Sequence, residues 1–230
     1  MQKPASFEAG FCFVIINFND NTIAMPVTKT QRAFQICIAA ITWFAVILQF
    51  YLQIVNRTTE VGEAIIRFFS YFTILTNILV AVCFTSLLLQ KKKEGFFHKP
   101  GVLTAVTVYI FIVGMVYNLV LRSQWNPQGW QLVADNLLHT VTPLLALVYW
   151  FIYASTGNIG LQQLSTWLLY PLFYLVYVLI RGSFSNFYPY FFIDVSKLGY
   201  AKAFINALYV TGCFLLVSLL LTWLGNRKKV

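Results

Sequence analysis

Six apolar stretches, each of membrane-crossing length, alternate with short polar connections along this chain. A helix needs about 20 predominantly apolar residues to cross a hydrocarbon core, and somewhat fewer at the short end. The stretches lie near residues 33–54, 70–90, 101–121, 137–154, 164–181 and 201–224. In hydrocarbon every backbone amide and carbonyl must find its partner within the protein, so such segments become helices. The connections are too short to hold a separate soluble domain. The expected fold is therefore all-α: a polytopic membrane protein with a single six-helix transmembrane bundle over residues 30–225. Only 10% of the 230 residues are charged, against about 25% in a soluble domain.

The charges that remain are sorted by side. All seven acids (Glu8, Asp20, Glu60, Glu63, Glu94, Asp135 and Asp194) fall outside the spans or at their mouths. A carboxylate relay through the membrane centre is thereby excluded. Ten basic residues (Lys3, Lys29, Arg32, Lys91, Lys92, Lys93, Lys99, Arg227, Lys228 and Lys229) share the side of the termini, and six (Arg57, Arg67, Arg122, Arg181, Lys197 and Lys202) take the other. Cytoplasmic loops carry the excess of Lys and Arg, so both termini are expected in the cytoplasm of a cell-membrane protein. The net charge of +9 then reads as topology plus attraction to anionic membrane lipids, not as nucleic-acid binding. Tryptophans and tyrosines are expected to mark the two interfaces, with Trp125, Trp130, Tyr188 and Tyr190 on the outer side and Trp150, Trp167 and Trp223 on the inner.

Residues 1–29 form a tail that is expected to be poorly ordered, and Met25 resembles a natural start. Residues 226–230 make a basic C-terminal tail. The cysteines Cys12, Cys37, Cys83 and Cys213 have no metal-ligand or disulfide spacing and read as small packing residues. His139 has no ligand partner at metal spacing, and no glycine-rich nucleotide loop is present. Neither a metal nor another cofactor is expected.

Chemistry is concentrated at His139, an ionisable group just inside the fourth span, where such a residue is costly and by default a functional candidate. Pro143 lacks the amide that would bond the carbonyl of His139, so the backbone opens there. Pro171 does the same to Trp167. Thr73 lies six residues past Arg67, and His139 four past Asp135. At 1.5 Å rise per residue, both enter from the same side at similar depth. A threonine hydroxyl needs a base to become a nucleophile, and neutral imidazole is the usual one near neutral pH. Asp135 could orient the ring or cap the fourth helix, and Asn77 could help hold an oxyanion. The leading expectation is a lipid-ester hydrolase at the outer face. The alternative is a non-enzymatic lipid- or small-molecule-binding protein, or a transport component. There Tyr188, Asp194, Arg181 and Asn206 line a polar pocket, with Arg181 pairing Asp194 or holding an anion.

Three segments carry a resemblance. Tyr71-Phe72-Thr73-Ile74-Leu75-Thr76-Asn77, Asn136-Leu137-Leu138-His139-Thr140 and Tyr188-Pro189-Tyr190-Phe191-Phe192-Ile193-Asp194 resemble motifs of the androgen-induced membrane proteins and their bacterial six-helix relatives. The resemblance implies a threonine hydrolase of lipid esters, with Thr73 as nucleophile and His139 as its partner. The chain departs from the pattern where the signature's first histidine falls at Asp135 or Asn136, and its proline lies one residue closer.

Overall fold

A computed structural model describes residues 27–90, 95–154 and 159–227. These residues form α1 (Lys29–Val55), α2 (Val61–Phe69), α3 (Phe72–Leu89), α4 (Pro100–Val116), α5 (Gly129–Asn136), α6 (Thr142–Tyr153), α7 (Gln162–Ser185) and α8 (Val195–Arg227). Among the described residues, six spans are long and apolar enough to cross a membrane. The fold is the expected all-α bundle, with α1 beginning and α8 ending at one face, called here the terminal face. The tail to residue 26, the Lys91–Lys93 cluster and residues 228–230 lie outside the described residues.

Local chemistry sets the helix ends. The Thr28 side chain accepts the amide of Gln31 and caps α1, and Pro100 opens α4 at a position that needs no amide donor. The fourth span starts at Gly129 rather than near 137, because α5, a π turn at Leu137–Val141 and α6 run on as one rod. Asp135 is thus inside a helix and does not cap one. A second π turn, Tyr117–Leu121, ends the third span. In α8 the chain turns at Gly199, whose φ of 73° suits glycine.

The third span is the centre: its apolar window is 67% buried, against 17% for α7 and 22% for α8, which face lipid. Lipid is as apolar as leucine, so packing and hydrogen bonds rather than burial from water join such helices. Gly114 illustrates this, since a Cβ there would stand 2.9 Å from Pro143 Cβ and 3.1 Å from the His139 carbonyl. Its absence lets α4 lie against α6. Trp150 and Trp167 do not sit in an interfacial belt. Both are buried, and Trp150 donates to Thr104 at 2.9 Å. Trp223 is half exposed and lies under Arg227.

Candidate functional site

Both prolines do what their amide-less nitrogens require. The His139 carbonyl is taken by Asn118 Nδ2 at 3.1 Å, and the Trp167 carbonyl by the Tyr109 hydroxyl at 2.7 Å. Both donors come from the third span. Each opened turn borders a cavity.

The first cavity, of about 330 Å³, lies at the face opposite the termini. Thr73, Asp135 and His139 all line it, beside Gln49, Gln53, Tyr71, Tyr117, Trp125, Gln131 and Tyr190. The depth argument thus brings Thr73 and His139 to one chamber, but it does not join them. Thr73 shares a hydrogen bond with the Tyr190 hydroxyl at 3.3 Å, and its amide donates to the same oxygen at 3.2 Å. Tyr190 thereby satisfies one of the first-turn amides of α3. Burial pushes the Tyr190 hydroxyl up to about 12, with Thr73 opposing. The His139 ring is engaged elsewhere, with Nδ1 2.9 Å from the Asp135 carbonyl and the ring stacked on Tyr117 at 3.7 Å. The hydroxyl–imidazole bond that activates a threonine is not formed.

The other candidates disperse. Both amide contacts of Asn77 go to backbone, at Thr73 O (2.9 Å) and Leu138 O (3.2 Å), which leaves no donor for an oxyanion. Arg181 does not pair with Asp194. It donates to Glu63 at 2.9 Å and to Ser185 at 2.8 Å, and its guanidinium lies over Phe187. Asp194 bonds Ser196 and faces Lys197 at 3.5 Å. Burial works against its charge, but Ser196 and Lys197 outweigh it and hold the carboxyl below its ordinary range. Tyr188 packs on Gly182, where a Cβ would meet its ring at 2.1 Å. Asn206 donates to the Phe192 carbonyl at 2.8 Å.

Two further cavities lie among the described residues. An apolar one of about 90 Å³ is bounded by α4, α7 and α8, and Thr73, Leu121 and Tyr190 belong to its wall as well as to that of the polar chamber. The third, about 530 Å³, lies at the terminal face and is lined by Lys99, Gln163, Thr166, Trp167, Tyr109 and Tyr170. A ring of four aromatics separates it from the middle one: Phe72–Tyr170 5.1 Å, Tyr170–Tyr109 4.8 Å, Tyr109–Phe214 6.2 Å and Phe214–Phe72 5.9 Å between centroids. None of these tyrosines, nor Tyr117, was singled out by sequence. The prolines held the signal, because two freed carbonyls demand donors at matching depth, and Asn118 and Tyr109 are polar residues of the third span.

Fold and site together define a six-span, multi-pass helical membrane protein. Its sequence is similar to Autophagy-related protein 22-1 of Aspergillus niger, with 31% identity over 161 residues. That stretch is 67% of this chain and 25% of the relative, so the chain spans about a quarter of that protein's length. No protein-family model matches the chain. No solved structure matches it either. These findings overturn the resemblance to the androgen-induced membrane proteins. The three motifs behind it are short aromatic and apolar runs of the kind membrane helices repeat freely. At the place of the missing histidine, Asp135 accepts a hydrogen bond from Tyr117 instead.

Proposed function

We propose that the chain is a transport component of the cell membrane, with the terminal face, to which the sequence pattern assigns the excess of lysine and arginine, in the cytoplasm. The observation that carries this reading is the row of three cavities, one open at each face and one between them. Thr73 and Tyr190 stand in the wall shared by the polar and middle cavities, and Phe72 and Phe214 of the middle cavity meet Tyr109 and Tyr170 of the terminal one in the four-ring layer. Such thin septa let a small solute be admitted from one side while the other stays shut. Tyrosine rings can swing by rotamer changes, without breaking the helix packing around them. Thr73 and His139 then serve as lining and gate residues of the chamber opposite the termini. The comparisons favour this reading over lipid-ester hydrolysis.

Thiol accessibility tests it without knowledge of the solute. In protein freed of its four cysteines, Thr211→Cys reports on the middle cavity, Gln53→Cys and Gln163→Cys on the outer two. Proteoliposomes are treated with a membrane-impermeant methanethiosulfonate from either side. The expected result is labelling of position 211 from the face opposite the termini when Tyr190→Ala is added, and from the terminal face when Tyr170→Ala is added. Position 211 staying unlabelled in both, while 53 and 163 react, would sink the transport reading.

A further inference from the structure

Asp135 and His139 are held in a way the solute path alone does not require. Asp135 is 4% exposed although it lies within a membrane span. Its Oδ2 accepts the Tyr117 hydroxyl, whereas its Oδ1 is buried, accepts no hydrogen bond among the described residues, and lies 3.3 Å from His139 Nδ1. A carbonyl only accepts, so the 2.9 Å contact between His139 Nδ1 and the Asp135 carbonyl requires the proton to sit on Nδ1. That leaves Nε2 as the nitrogen that takes a second proton, on a ring that lines the polar chamber. Both sides of the cluster are π turns, Tyr117–Leu121 and Leu137–Val141, a deformation found mostly at functional positions.

We propose that Asp135 and His139 form a one-proton store that couples proton movement to opening of the polar chamber. The inference rests on the transport reading for its coupling half and stands on the cluster's own geometry for the rest. Unloaded, the cluster carries one buried negative charge; loaded, Nε2 has gained a proton from the chamber, and imidazolium and carboxylate cancel. A bare charge in a membrane bundle is tolerated while water reaches it and penalised when the chamber closes. Proton loading, which cancels that charge, therefore favours closure. The titratable groups facing the pair are few. Tyr117 and, near it, Arg122 belong to the end of the third span; Tyr71 comes from the start of α3, and Tyr190 from the segment before α8. From α1 only the uncharged Gln49 and Gln53 line the chamber.

Two measurements on the full chain decide it. Nuclear magnetic resonance of protein labelled at its two histidines, with His139 assigned by its loss in His139→Gln, reads the tautomer and the titration. Nδ1–H at high pH, a second proton on Nε2 at low pH, and a transition that is displaced in Asp135→Asn are expected. The opposite tautomer, or a transition unmoved by Asp135→Asn, overturns the store. The second reads thiol labelling of Gln53→Cys relative to the exposed control Ser123→Cys in nanodiscs. The ratio should fall on acidification by about tenfold. The fall should vanish in Asp135→Asn. A ratio independent of pH in the parent overturns the coupling. If His139 titrates as stated while position 211 is never reached from either face, the transport reading fails and the proton store survives.

Discussion

The polar and terminal chambers are built by the same device and end with opposite chemistry. Each stands beside a proline-opened turn whose orphan carbonyl is rescued from the third span, by Asn118 in one case and Tyr109 in the other. In the terminal chamber that rescue completes the polar demand of the turn, and no acidic side chain is among the residues that line the cavity. In the polar chamber it leaves a second problem, a buried carboxylate whose hydrogen bond comes from a phenol and whose neighbour is an imidazole. Opening a membrane helix is thus cheap when the only exposed group is a carbonyl. It becomes a functional commitment when an ionisable side chain sits in the same turn.

The sharpest way to break that contrast is to remove one hydroxyl from each chamber. Tyr117→Phe leaves the Asp135 carboxylate buried without its donor, and should cost about 3 kcal/mol of stability. Tyr109→Phe strands only the Trp167 carbonyl and should cost about 1 kcal/mol. Unfolding midpoints in detergent measure both. Adding Asp135→Asn to Tyr117→Phe should recover much of the loss, because a neutral amide tolerates the missing donor better than a charge does. Equal costs for the two tyrosines would erase the distinction between the chambers.

A second test leaves the chemistry alone and spreads the helices. Gly114→Val drives side-chain carbon into Pro143 and the His139 carbonyl, neither of which can swing away. About 2 kcal/mol of destabilisation is expected, together with loss of the His139 tautomer seen by magnetic resonance. Gly62→Ala is the matched control: nothing lies within 4 Å of its Cβ, and it should stabilise α2 by about 0.5–1 kcal/mol. If Gly114→Val were as harmless as the control, close approach of α4 to α6 would not be what holds the opened turn in place.

Much of this was legible in the sequence. Periodicity-free apolar runs gave six spans, and the prolines at 143 and 171 announced two freed carbonyls that the structure indeed satisfies. Equal depth brought Thr73 and His139 to one chamber. Legibility ended where rotation about the helix axis decides the outcome. Depth follows from 1.5 Å per residue, but whether Thr73 meets His139 or Tyr190 depends on which face of α3 each neighbour presents. Arg181 found Glu63 rather than Asp194 because α2, an amphipathic helix with Ala64 and Phe68 buried, brings Glu63 within reach of the guanidinium. Its nine residues are too short to register as a span. Asp135 read as a cap because the polar residues 126–131 masked a helix that begins at Gly129.

The smallest effect contrasts two carboxylates. Asp135 relies on a hydroxyl and an imidazole, whereas Glu63, on α2 outside the spans, is held by two guanidinium groups. Arg67 donates to Glu63 at 2.7 Å and holds the carboxyl below its ordinary range; partial burial opposes this, and Arg181 at 2.9 Å adds to it. A carboxyl whose value is lower in the folded state contributes stability that is fully present above the ordinary glutamate value of about 4.3. That contribution drains away as the pH falls through the lower folded value. Glu63→Gln should therefore unfold more readily than the parent at pH 7, with the difference narrowing only once the pH drops below about 4. Between pH 8 and 5, above the range in which Glu63 titrates, the difference should stay flat. A gap that already closes in that range would mean that the Glu63 cluster and the proton store are one coupled system. The two carboxylates would then have to be analysed together.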